Sequence, residues 1–226
     1  MTQLTQKIIV AFVDKYGYVS EIADYMTKLI TKSGINVDLV DLRRTKESQW
    51  PNLNDYTGII LISAGRTKLL SFWTSRARKF ASMYVQPIKE EKLVGFFRSD
   101  PYEKEGLIDP ISNKEKFGKN IFQVSNFIPD FYEDFGPVLD FSRKSKIKHD
   151  DREILKDSAK RIAKATGIEF EFKGFNDFRD WNKIEEVCNE FIEQLQKGKR
   201  CASCGSIVPL GVDFCKNCGN KINQGN

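Results

Sequence analysis

Long apolar runs are missing from this chain. No stretch approaches the ~18 consecutive apolar residues that span a bilayer, and the N-terminus has no apolar signal-peptide core, so a cytoplasmic protein without a transmembrane segment is expected. Histidine is almost absent. His149 is the only one and lies in a charged stretch, so a His-based catalytic triad has no second support and His149 reads as a surface residue. A strong excess of one charge is lacking too. The 36 basic and 31 acidic residues leave a net charge of +5 spread along the chain, which gives no ground for a nucleic-acid partner. Neither internal repeats nor low-complexity tracts occur. What is present is the composition of a folded protein: 40% hydrophobic and 30% charged residues in a chain of 226, with 17 phenylalanines. That length has room for one large domain and a small appendage.

The pattern along the chain is one of strands alternating with helices. "KIIVAFV", residues 7–13, is short, apolar and β-branched, as a parallel strand buried on both faces reads. Ile22, Met26, Leu29 and Ile30 then recur at helical spacing, and Gly34 stands where a helix end favours glycine. "INVDLVDL", "GIILIS" (58–63) and "KLVGFF" (92–97) read as further strands, and "NIFQVSNF" (120–127) as a fifth. A helix is expected over about 70–83, with Phe72, Trp73, Ala77 and Phe80 on one side. Residues 128–150, with the basic run "RKSKIKH" (143–149), read as an irregular excursion. That run fits a solvated loop better than an acidic or lipid partner. Ile154, Leu155, Ala159, Ile162 and Ala163 form one helical face, "IEFEF" (168–172) looks extended, and Asp180 caps a last helix bearing Ile184, Val187, Cys188, Phe191, Ile192 and Leu195 in register. Cys188 reads as core. Right-handed βαβ units and a doubly wound, three-layer α/β domain with a parallel sheet are implied. The expected division is a domain over 1–196, a polar linker over 197–200 and a small module over 201–222.

That module is "CASCGSIVPLGVDFCKNCGNKI", in which Cys201, Cys204, Cys215 and Cys218 form two C-x2-C pairs, each followed by glycine. Each pair turns two thiolates toward one ion, and four thiolates in a tetrahedron suit Zn2+ better than a hard cation. About 22 residues cannot build a core of their own, whereas zinc supplies ~10–16 kcal/mol of apparent folding energy. A cytosolic setting disfavours disulfides, and two C-x2-C pairs in a glycine-rich tail without a βαβ context argue against a thioredoxin-like couple. A rubredoxin-type iron site has similar spacing. The tail resembles the short zinc ribbons appended to many microbial proteins. Such a ribbon fills all four metal positions with cysteine, so it is structural and points to a protein partner.

Three further segments carry a second resemblance. "IVAFVDKYGYVSEIADYM" at the first turn, "QWPNLNDYTGIILISAGR" around the third strand and "FNDFRDWNKIEEVCNEF" before the last helix resemble the flavodoxin-type protoporphyrinogen oxidases. The resemblance runs in patches over about residues 5–195. It implies a flavodoxin-like sheet, noncovalent FMN and a redox role in electron transfer or porphyrinogen oxidation, with a redox protein or a small-molecule electron acceptor as partner. It also implies cofactor contacts at three loops. These are Lys15, Tyr16, Gly17, Tyr18, Val19 and Ser20 at the phosphate turn, Ser63, Ala64, Gly65 and Arg66 after the third strand, and Phe96, Phe97, Arg98 and Ser99 after the fourth. No side-chain general acid or base is expected.

The chemistry of the first turn cuts the other way. A phosphate turn of this kind uses backbone N–H groups at a helix N-terminus together with Ser or Thr hydroxyls. Here the hydroxyl positions hold Val13, Asp14 and Val19, with only Ser20 nearby. A carboxylate ~5 Å from a phosphate, at an effective dielectric near 20, opposes binding by roughly 3 kcal/mol per unit of phosphate charge before screening. Two readings therefore stand: an FMN-dependent oxidoreductase, or a flavin-free flavodoxin fold that serves as a binding or assembly module. Whether Asp14 points into the turn decides between them.

Overall fold

The computed structural model describes residues 6–64, 75–99, 119, 121–122, 125–201, 203–204, 207–208, 214–215 and 218–221. Five parallel strands form its centre: β1 (Lys7–Val13), β2 (Asn36–Asp41), β3 (Gly58–Ser63), β4 (Leu93–Arg98) and β5 (Phe131–Asp134). Their order is β2-β1-β3-β4-β5, and the pairing is parallel throughout. This is the flavodoxin-like, doubly wound order, in which ligands sit beyond the carboxyl ends of the strands where the winding reverses. The continuous apolar runs are explained by position. β3 and β4 are buried at every residue, and β1 at every residue after Lys7, whereas the edge strand β2 is only partly covered and alternates with aspartates.

Side chains alternate across the sheet, so each strand feeds two cores. On one face Ile8, Val10, Phe12, Ile60, Ile62 and Phe97 pack under α1 (Tyr18–Lys32) and the C-terminal α4 (Trp181–Lys197). On the other, Ile9, Ala11, Ile59, Leu61, Val94 and Phe96 pack under Trp50 and Phe80. Three layers result. The fit is tight at α4, where the fully buried Phe191 ring lies over two strand glycines. An added Cβ on Gly58 would come within 3.1 Å of that ring, and one on Gly95 within 3.4 Å. Asp180 caps α4 as expected, its side chain accepting from the Lys183 N–H at 2.9 Å. Cys188 is fully buried on the same helix.

Several expectations change. Residues 70–74 of the anticipated second helix lie outside the described residues. From Ser75 the chain forms a short α2 (Ser75–Lys79) that widens into a π-helical turn at Phe80–Val85 and tightens to 3-10 at Gln86–Glu91. "NIFQVSNF" is not the fifth strand. Ile121, Phe122 and Ser125 are helical, with the Ser125 hydroxyl donating to the Ile121 carbonyl at 2.8 Å. A short apolar run fits either state, and here burial of Ile121 against the second face took the helical one. The fifth strand is instead "FYED", whose acidic residues the pattern did not mark as strand. The excursion after it is ordered too: β6 (Val138–Asp140) pairs antiparallel with β7 (Phe175–Asp177) around α3 (His149–Thr166). Phe170 and Phe172 of "IEFEF" form no strand but pack against a third small core of Leu139, Phe141, Ile147, Leu155 and Ala159. Tyr16 belongs to that core, so the excursion sits on the first turn. Arg143, Lys144, Lys148 and His149 are exposed.

At the C-terminus, β8 (Lys199–Arg200) and β9 (Ile207–Val208) pair antiparallel. Among the described residues, no helix is long and apolar enough to cross a membrane.

Phe191→Ala empties the space over Gly58 and Gly95 and is expected to cost about 3–5 kcal/mol. Urea unfolding followed by circular dichroism measures it. A loss below about 1 kcal/mol would show that α4 repacks on the sheet.

Candidate functional site

The carboxyl end of β1 runs into α1 through Asp14, Lys15, Tyr16 and Gly17. Gly17 adopts φ +101°, the left-handed conformation suited to glycine, and opens the helix. The main-chain N–H groups of this turn converge, as those of an anion nest do. The anion they meet is the protein's own. Asp14 Oδ1 accepts from the N–H of Tyr16 and of Gly17, both at 2.9 Å, and Oδ2 accepts from the N–H of Ser20 at 2.8 Å. The Ser20 hydroxyl turns back to the Gly17 carbonyl at 2.7 Å.

The other residues of the turn are held from outside it. Lys15 Nζ donates to Asp151 of α3 at 2.9 Å, and the Tyr16 hydroxyl donates to the same carboxylate oxygen. The Tyr18 hydroxyl donates to Asp140 of β6 at 2.9 Å. Burial and then that bond push the Tyr18 phenol above its ordinary value. Val19 lies in the core beneath α1. Arg179 completes the clasp. Its buried guanidinium donates to the Tyr18 carbonyl at 2.9 Å, forms a two-pronged pair with Asp177 and an ion pair with Glu21 at 2.8 Å, and lies 4.6 Å over the Trp181 ring.

At the ends of β3 and β4 the described residues offer little to a ring. Ser63 is buried and donates to the Ala64 carbonyl at 3.0 Å, while Gly65 and Arg66 lie outside the described residues. Phe96 and Phe97 are fully buried on opposite faces of the sheet, against Phe127 (5.4 Å between centroids) and Phe135 (5.1 Å). Neither is placed to stack on a ligand. The Arg98 guanidinium, expected to meet a phosphate or a flavin carbonyl, is 1% exposed and bonds Asp134 through Nε at 2.9 Å and Nη2 at 2.6 Å. The Ser99 hydroxyl donates to the Gly136 carbonyl at 2.7 Å. Asp134, Asp140, Asp151 and Arg179 were not marked by sequence pattern, because an isolated charged residue carries no local sign of its distant partner.

An FMN phosphate therefore does not fit the turn as it stands. Its place is taken by a carboxylate that already satisfies three N–H donors, and Lys15, the nearest cation in sequence, is paired elsewhere.

The four cysteines of the tail do converge. Their sulfurs all lie within 4.8 Å of one another, and the nearest pairs, Cys201–Cys218 and Cys204–Cys215, are 3.5 Å apart. That is too far for an S–S bond of ~2.05 Å, and near the ~3.8 Å edge of a tetrahedron of thiolates ~2.3 Å from a metal ion. Gly219 takes φ +71° just after the second pair, and its N–H donates to the Cys215 carbonyl at 2.7 Å, closing the turn. The cluster is compatible with a zinc ribbon.

No family model matches the chain, and no curated protein matches it. Among solved structures it is similar to a flavodoxin from the domain Archaea, at 16% identity over 72% of this chain and 100% of that one, with a TM-score of 0.39. It is similar also to oxidised flavodoxin 2 from Bacillus cereus, at 19% identity over 70% of this chain and 99% of that one, TM-score 0.40. The flavodiiron core of Flv1 from Synechocystis sp. PCC6803 matches at 17% identity over 72% of this chain and 36% of its own, TM-score 0.43.

Two outcomes are expected at the turn. Asp14→Ala orphans three N–H groups and should cost about 1–3 kcal/mol in denaturant unfolding; a neutral effect would mean that water replaces the carboxylate. The Lys15 ammonium, followed by the Tyr16 hydroxyl, holds the Asp151 carboxyl below the usual carboxylate range. The stability linked to that shift is fully present above the unfolded value of ~3.9 and is lost as pH falls through the lower folded value. Asp151→Asn should therefore flatten the acid limb of stability against pH, and parallel curves for the two proteins would remove Asp151 from the clasp.

Proposed function

We propose that this chain is a flavin-free flavodoxin-fold binding or assembly module whose C-terminal ribbon holds zinc and docks a protein partner. The observation that carries this reading is the Asp14 carboxylate within the turn, bonded to the N–H groups of Tyr16, Gly17 and Ser20. Hydrogen bonds to a charged group are worth about 1.5–3 kcal/mol each, so an incoming phosphate must break three of them as well as overcome like charge. The redox reading requires more. FMN at the loops after β1, β3 and β4, with an electron donor and acceptor, calls for Asp14 to leave the nest. It also calls for a ring face other than Phe96 and Phe97, which lie in the core. Porphyrinogen oxidation adds a broad apolar pocket to those requirements.

Zinc fits the ribbon through four thiolates alone, which leaves no position for substrate, so the metal's part is to fold the tail. Free thiolates of this kind persist in a reducing compartment, and the cytoplasm suits them.

The deciding experiment is an absorption spectrum of the purified protein after incubation with FMN and desalting, with metal determined on the same sample. One zinc per chain and no retained flavin are expected. Asp14→Thr, which removes the charge and supplies a hydroxyl, should raise FMN affinity at least tenfold. Stoichiometric flavin on the wild-type protein would overturn the reading. Thiol titration gives a second check. Burial pushes the Cys188 thiol up to about 12, so chelation of zinc should release four reactive thiols at pH 8 and leave the fifth for denaturant. Five prompt thiols would show that α4 does not shield Cys188.

A further inference from the structure

The segment between β6 and α3 carries Arg143, Lys144, Lys146 and Lys148 in close succession. By pattern it reads as a solvated loop, but its backbone is held at several points. Asp140 Oδ1 accepts from the Ser142 N–H at 2.9 Å, and the Asp140 carbonyl accepts from the Ser145 hydroxyl at 2.8 Å. That hydroxyl accepts in turn from the Ile147 N–H at 3.1 Å, and Arg152 of α3 donates to the Ser142 carbonyl at 3.0 Å. Phe141 and Ile147 are buried in the third core. The four cations are left exposed. Among the described residues, none of them has a carboxylate within ion-pair distance. The acids that follow are engaged elsewhere, Asp150 against His149 and Asp151 against Lys15.

An apolar side chain stands beside this row. β7 pairs with β6 so that Phe175 lies opposite Asp140, and the Phe141 N–H donates to the Gly174 carbonyl at 2.8 Å. Phe175 is 49% exposed, with its ring 6.0 Å from that of Tyr18. Lys146 reaches the same side, since a Cβ added at Gly17, the residue before Tyr18, would lie 3.3 Å from its Nζ. A lone exposed phenylalanine is ordinary on a protein surface. Next to a fixed row of unpaired cations it forms an apolar centre with a charged rim, which is the anatomy of a docking site.

We propose that this surface docks an acidic segment of a protein partner, with Phe175 meeting an apolar side chain and Arg143, Lys144, Lys146 and Lys148 the carboxylates around it. Complementary charge of this kind steers encounter and fixes register. A loop ordered in advance loses little freedom on binding. The setting favours a peptide over a uniformly anionic partner. Exposed acids border the row, Asp150 at its end and Glu171 beside Gly174, and a nucleic-acid backbone or a lipid surface meets them with like charge. A segment with acids at chosen positions avoids them. The surface is distinct from the ribbon and does not depend on whether the domain carries flavin.

The test is titration of the 15N-labelled full chain, at low and at physiological ionic strength, with a glutamate decapeptide bearing one central phenylalanine. Saturable shifts are expected at the amides of 143–148 and of Phe175, with binding weaker at the higher salt. Lys144→Glu combined with Lys146→Glu should weaken binding roughly tenfold or more, and the remote change Lys160→Gln not at all. Circular dichroism checks that each variant folds. Replacing the peptide's phenylalanine by glutamate should weaken binding to the wild-type protein by about threefold or more, and to Phe175→Ala not at all. Three results overturn the proposal. One is an absence of saturable shifts, and another is equal binding of the two peptides by the wild-type protein. The third is tighter binding of single-stranded DNA or of phosphatidylserine vesicles through the same residues, which would assign the surface to a nucleic acid or a membrane.

Discussion

The carboxylate of Asp14 satisfies three main-chain N–H groups at the start of α1, and the arrangement of the sheet's carboxyl edge depends on it. With an internal anion in the nest, the turn needs none from solvent, and its side chains are free to serve packing. Tyr16 and Lys15 reach Asp151, Tyr18 reaches Asp140, and Arg179 ties the Tyr18 carbonyl to Asp177 and Glu21. The excursion between β5 and α4 is thereby seated on the turn. In a fold of this winding the same edge is where a cofactor would lie. Here the chain itself covers part of it.

The described end of β4 obeys the same logic. A loop that receives a flat ligand keeps an aromatic face or a cation toward solvent, but β4 ends in two phenylalanines that belong to opposite cores. Its arginine is neutralised by Asp134 on the neighbouring strand. An ion pair this buried is costly to leave half-made, so Arg98 is a fixed part of the sheet's edge and not a ligand arm. Free cationic character is found instead on the β1–β2 side, where Arg43 is held by carbonyls.

The tail stands on different physics from the sheet. It is too short to enclose a core, and what its described residues bring together is four cysteine sulfurs within 4.8 Å of one another, a set that could hold a metal ion.

The sequence by itself determined the centre of the sheet, the last helix and the cysteine cluster. Strands β1, β3 and β4 are apolar throughout because both faces are covered, Phe191 and its neighbours repeat at helical spacing because one side of α4 meets the sheet, and C-x2-C is a local turn that aims two sulfurs at one point. These are properties of a few adjacent residues. Tertiary structure alone decided the rest. "NIFQVSNF" suited strand or helix until the second core claimed Ile121, and "FYED" became a strand because β4 lay open beside it with Arg98 ready for Asp134. Asp14 was legible as a problem for phosphate, but its direction was not, because the partners that hold Lys15, Tyr16 and Tyr18 away from the nest stand 122 to 136 residues further along the chain. Periodicity records which side chains are buried. It carries no record of where a long polar side chain ends, since that is set by whichever distant group the fold brings within hydrogen-bonding reach.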